Sequence, residues 1–169
     1  RARVLFGSAD ARRAVAEIVW DVLNTQRDSV QLHTDIATMR KDMAAHKPPK
    51  GPLDVKLLPG GLVDMEFIIH ALQLETHDGL QPQLGPAIDA LVAAGHLQAD
   101  FAKAFALMAR LLVMVRLIAP DCAAPPEAAQ RLIAHSLGFD DWDGLTQALR
   151  DYRGVVMTQW RSLFGARDF

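Results

Sequence analysis

Residues 98–119 constrain the fold more than any other stretch. Phe101, Phe105, Met108, Leu112 and Val115 fall on one stripe of a 3.6-residue helix. Leu107, Leu111, Met114 and Ile118 fall on a second stripe beside it. A helix apolar over so much of its circumference must be surrounded, which predicts a place in the middle of a bundle. At 169 residues, half of them apolar, the chain suits one domain with a packed core.

The other segments supply the surround. Val15, Ile18, Val19, Val22 and Leu23 recur at helical spacing, predicting a first helix over about Asp10 to Asn24, with Trp20 off the stripe and facing a neighbour or a further domain. Asp28 is placed to cap a second helix, whose Leu32, Ile36, Met39 and Met43 alternate steps of four and three like the seam of two packed helices. Pro48-Pro49-Lys50-Gly51-Pro52 then reads as a rigid connector. A third helix begins near Gly61, turns Leu62, Met65, Ile68, Ile69 and Leu72 inward, and ends at His77-Asp78-Gly79. A short helix follows from Pro86 to Ala94, with Gly95 beyond it. Pro120 stops the 98–119 helix. Pro125-Pro126 starts another that closes at Gly138-Phe139, the pattern of a Schellman end. Asp140 is placed to cap the last helix, in which Leu145, Leu149, Tyr152, Val156, Trp160 and Leu163 form the stripe. Only Arg3 to Phe6 could form a short extended piece. The expectation is all-α: about seven helices in an antiparallel bundle, divided into an N-terminal helix pair (1–46), a Pro/Gly connector (47–61) and a main bundle (62–169).

Composition narrows the function classes. A net charge of −2 gives no basic excess for nucleic acid, and no apolar run reaches the roughly 20 residues that span a bilayer. The single cysteine, Cys122, excludes a disulfide framework and points to a reducing cytoplasm. The chain opens Arg1-Ala2-Arg3-Val4 without an initiator methionine, so it is expected to be a piece of a larger protein.

The residues that stability alone does not explain run from Asp54 to Phe67: Asp54-Val55-Lys56-Leu57-Leu58-Pro59-Gly60-Gly61-Leu62-Val63-Asp64-Met65-Glu66-Phe67. Adjacent glycines forfeit backbone entropy, and their use is close approach or positive φ. Either the turn presents amides and a helix N-terminus to an anion, or it is a tight lead into the helix. Asp64 and Glu66 lie about 200° apart around a helix, so they cannot converge as an acid/base pair. Asp64 can satisfy first-turn amides, or one of the two acids can face a cleft. Arg116 sits about 60° from the main stripe of the 98–119 helix, where a charge needs a partner such as Asp54, Asp64 or Glu66. The histidines lack chelating spacing, and neither a nucleophile elbow nor a Walker loop is present. No catalytic residue and no metal ligand is assigned to this chain. Asp54, Lys56, Gly60, Gly61, Asp64, Glu66 and Arg116 remain as candidates for a cleft or nucleotide-proximal surface.

This segment resembles the signature D-x-K-x-x-x-G-G-x-x-D-x-E-F of the glutamine synthetase adenylyltransferase/adenylyl-removing family, matched by Asp54, Lys56, Gly60, Gly61, Asp64, Glu66 and Phe67. The opening residues and the closing Trp160-Arg161-Ser162-Leu163-Phe164-Gly165 are similar in style, so the resemblance covers nearly the whole chain. It implies a helical, substrate-binding-type domain that follows a nucleotidyltransferase domain, in the C-terminal, adenylylating half of a two-half enzyme. ATP and Mg²⁺ would be held by that missing domain. AMP would pass to a tyrosine of glutamine synthetase, and the other half would remove it by phosphorolysis. PII protein and glutamine would set the balance. Two other classes stay open: the related helical domain of PII-uridylyltransferases, and a helical interaction module with no nucleotide role.

Overall fold

The computed structural model describes residues 4–166. Among them are seven α-helices and no strand: α1 Ala9–Leu23, α2 Ser29–His46, α3 Leu62–Thr76, α4 Leu84–Ala93, α5 Ala99–Ile118, α6 Glu127–Leu137 and α7 Trp142–Phe164. The all-α expectation holds. Arg3 lies outside the described residues, and Val4 to Phe6 form no strand.

Capping explains the boundaries. Ser8 accepts a hydrogen bond from the Ala11 amide and Asp28 from that of Gln31, each satisfying an orphan donor of a first turn. The last helix is capped by Asp141, one residue later than Asp140, because the Asp141 carboxylate reaches the Gly144 amide at 2.7 Å. α6 closes as expected: Gly138 is left-handed at φ 87°, its amide donates to His135 and that of Phe139 to Ala134.

The core differs from expectation in its centre. α5 packs against α4, α6 and α7 as a surrounded helix should, but it buries six residues of twenty and leaves Val113 and Leu117 exposed. The most thoroughly buried helix is α3, with nine of fifteen residues. All five of its predicted inward residues are buried, and Met65, Ile68 and Ile69 are wholly sequestered, worth about 1.5–3 kcal/mol each. α3 earns this position by touching α2, α4, α5 and α7. Phe67 meets Trp160 of α7 edge-on, and Trp160 stacks at a tilt on Phe164.

The N-terminal helices attach more lightly. α2 buries only Ile36 and Arg40. Its seam runs Leu32, Ile36, Arg40, so Met39, expected on it, is exposed. α1 buries none of its residues: of its predicted stripe, Val15, Ile18 and Val22 are exposed, and Val19 and Leu23 are half-buried. Amphipathic spacing identified that helix correctly without saying what covers it.

Candidate functional site

Residues 51–64 fold into a compact loop leading into α3, and its hydrogen bonds account for the motif residue by residue. Asp54 is buried. One carboxylate oxygen, Oδ1, accepts from the amides of Lys56 and Leu57 at 3.3 and 3.1 Å, and Oδ2 accepts from that of Lys50 at 3.1 Å. The Leu58 amide returns to the Asp54 carbonyl, closing the turn that these bonds brace. The amides of Gly61, Leu62 and Val63 donate to the carbonyls of Leu58, Val55 and Lys56. The N-terminus of α3 is therefore closed by its own loop, and these amides are not presented to an anion.

The two glycines are required for different reasons. Gly60 is left-handed, φ 76°, and a Cβ there would lie 2.5 Å from the Arg153 carbonyl oxygen of α7. Gly61 has φ −87°, open to any residue, but its Cβ would fall 2.5 Å from the Val55 oxygen and 2.8 Å from that of Leu58. The double glycine is a close-packed turn, the second of the two expectations.

Two arginines hold this loop. Arg40 reaches from α2 to place Nε 2.6 Å from Asp64 Oδ1 and donates through its second guanidinium nitrogen to the Leu57 carbonyl at 2.9 Å. Asp64 is fully buried, and its Oδ2 accepts from the Gly60 amide at 2.6 Å. Arg153 donates from α7 to the Pro59 carbonyl at 2.8 Å. Asp64 thus satisfies the glycine turn rather than the first-turn amides, and its charge is balanced by Arg40. Such a pair stands because both partners have further hydrogen bonds.

Arg116 corrects an expectation: it is exposed, on the outer side of α5, and among the described residues the buried arginine is Arg40. The small angle from the stripe misled, because the C-terminal turns of α5 have solvent on that side. Arg40 had a faint signal, since continuing Leu32 and Ile36 by another step of four lands on it. Arg153 had none, as its role depends on a loop 94 residues away.

On the loop's surface the picture changes. Lys56 is exposed, and it borders a shallow groove between α2 and α3 with Lys47, Met43, Glu66, Phe67 and His70. Glu66, half-buried, faces this groove while Asp64 faces Arg40, so the two acids diverge as their spacing predicts. On the other side, the connector is pinned where the Leu53 amide donates to the Cys122 carbonyl, with Cys122 itself left-handed at φ 59°. Burial pushes the Cys122 thiol above its ordinary value, and nearby Asp54 pushes it further. Among the described residues no three His, Cys, Asp or Glu side chains come together as a metal site. No helix among them is long and apolar enough to cross a membrane.

No protein-family model matches the chain. Curated proteins do. The chain is 33% identical over 162 residues to the bifunctional glutamine synthetase adenylyltransferase/adenylyl-removing enzyme of Rhizobium meliloti, covering 90% of this chain and 16% of that protein. It is 29% identical over 174 residues to the enzyme of the same name from Bradyrhizobium diazoefficiens, and 28% over 179 residues to that of Rhodopseudomonas palustris. These matches cover 96% and 99% of this chain and 18% of each relative. The chain is related over nearly all its length to a domain-sized segment of these enzymes, and it spans less than a fifth of their length.

Proposed function

We propose that this chain is the helical domain of an enzyme that adenylylates and de-adenylylates glutamine synthetase, taking AMP from ATP and joining it to a tyrosine of the target. The observation that carries this reading is coverage: three enzymes of that name align with 90% or more of the chain. The loop from Asp54 to Phe67 supports it, because Asp64 is fixed to α2, Gly60 lies against α7, and Asp54 and Gly61 are fixed within the loop itself, which leaves Lys56 and Glu66 as the surface that the motif presents.

The residues present do not fit a Mg²⁺–ATP centre of their own. Asp54 and Asp64 are spent on backbone amides and on Arg40, and the amides of Gly61, Leu62 and Val63 are engaged within the loop. The chemistry is therefore assigned to a nucleotidyltransferase domain elsewhere in the parent, with ATP and Mg²⁺ held there. This chain, residues 1–169 as one helical domain, lines that domain's cleft. Lys56 supplies a positive charge toward nucleotide phosphates, from the same groove that Glu66 borders. Control by PII protein and glutamine, and residence in the cytoplasm, belong to the same proposal.

The test is direct. The parent polypeptide is incubated with labelled ATP, Mg²⁺ and glutamine synthetase, and label on the synthetase is expected. Label from UTP on a PII-type protein instead would move the chain to the uridylyltransferase class, and no transfer of either kind would overturn the reading. The isolated chain should transfer nothing; label above an enzyme-free control would sink that part.

A further inference from the structure

α1 is an amphipathic helix with almost nothing beneath it. None of its fifteen residues is buried; Val15 is 41% exposed, Val22 55%, Ile18 61% and Trp20 64%. An isolated helix of this length is marginal in water, so its stability has to come from packing. The contact that this chain offers is partial. Val19 and Leu23 border a groove of about 320 Å³ whose other wall includes Leu74, Leu80 and Pro82. A second hollow lies along α1 between Trp20, Val15 and Leu80. α1 is thus a ridge with two adjoining apolar recesses along its Val19–Leu23 side and an apolar crest formed by Ile18 and Val22.

The charges say what kind of surface fits it. Asp10, Arg12, Arg13, Glu17 and Asp21 are three acids and two bases, with Arg13 paired to Asp10. That near-balance does not attract a phosphate-rich surface, whether membrane or nucleic acid. An exposed tryptophan amid aliphatic side chains, beside recesses of side-chain size, is the composition of a protein interface. The chain spans under a fifth of the length of its relatives, so most of the parent's surface is on the same polypeptide. A tethered domain meets α1 at an effective concentration no separate partner matches.

We infer that α1 is the docking ridge for another domain of the parent polypeptide, which covers Ile18 and Val22 and fills the recesses beside Trp20 and Leu23 with apolar side chains. This rests on the reading that the chain is one domain of such an enzyme. The test uses the intact parent and its Ile18→Glu/Val22→Glu variant, followed by amide hydrogen exchange and by AMP transfer. In the wild type, α1 amides should exchange at least a hundredfold more slowly than in an unfolded peptide. In the variant that protection should fall at least tenfold, while α3 and α5 keep theirs. Unprotected α1 in the wild type, or protection unmoved by the variant, overturns the inference. Protection that depends on protein concentration also overturns it, in favour of a second copy. A parent that transfers AMP with α1 unprotected loses this inference alone; one that protects α1 yet transfers nothing loses the functional reading alone.

Discussion

Asp64 and Arg40, 24 residues apart in sequence, meet as a buried ion pair with side-chain exposures of 0% and 2%. Removing one partner strands the other charge, which costs about 3–5 kcal/mol in such pairs. Asp64→Ala also orphans the Gly60 amide. Both Asp64→Ala and Arg40→Ala are expected to lose stability in that range by urea denaturation. The double variant should lose less than the sum, with coupling of at least about 1 kcal/mol. Additive losses would show that the pair is not a unit.

The glycines separate by surroundings. Gly60→Ala meets a backbone oxygen and a left-handed φ, and Gly61→Ala meets two backbone oxygens, so each should cost about 2–4 kcal/mol. Gly154, inside α7 with nothing within 4 Å, should behave oppositely: Gly154→Ala stabilises by about 0.5–1 kcal/mol. Melting temperatures of the three variants check this.

Cys122 should resist alkylation at neutral pH. Burial and Asp54 raise its pKa above the ordinary 9.0, so the reactive thiolate appears only at higher pH. The iodoacetamide rate should rise with a midpoint above 9.0. Arg116→Gln, which removes a nearby positive charge that lowers the pKa, should move the midpoint higher still. A midpoint at or below 9.0 in the folded chain contradicts the geometry.

Lys56 offers a separation of roles. Its side chain is exposed, so Lys56→Ala should change stability by no more than about 0.5 kcal/mol. AMP transfer by the parent enzyme should nevertheless fall several-fold, and Glu66→Gln should lower it too. Wild-type rates in both would remove the α2–α3 groove from the cleft.

The helices were legible because each carries its own periodicity and punctuation. Asp28, Gly138 and the proline pairs act on neighbours a few residues away, so a local reading finds them. The motif was legible as unusual, but its logic was not. Close approach and positive φ stayed open for both glycines, whereas the positive φ is at Gly60 and Gly61 is needed for space. Arg40 replaced Arg116 as the buried cation because burial depends on which helix lies opposite, and periodicity within one helix does not report that. The stripe of α1 shows the same limit from the other side.

The bond from Arg153 to the Pro59 carbonyl joins residues 94 positions apart, and Gly60 is shaped to lie against the backbone of that same arginine. The glycine turn therefore cannot take its final form when it leaves the ribosome. At roughly 5–20 residues per second, it waits on the order of 5–20 s for α7 to be made. Until then Asp54 and Asp64 can brace the loop locally, but its α7 wall is missing. The most distinctive stretch of the chain is thus among the last to be completed. A protein truncated before Arg153 would keep every residue of the motif and lack the wall that Gly60 and Pro59 rest against.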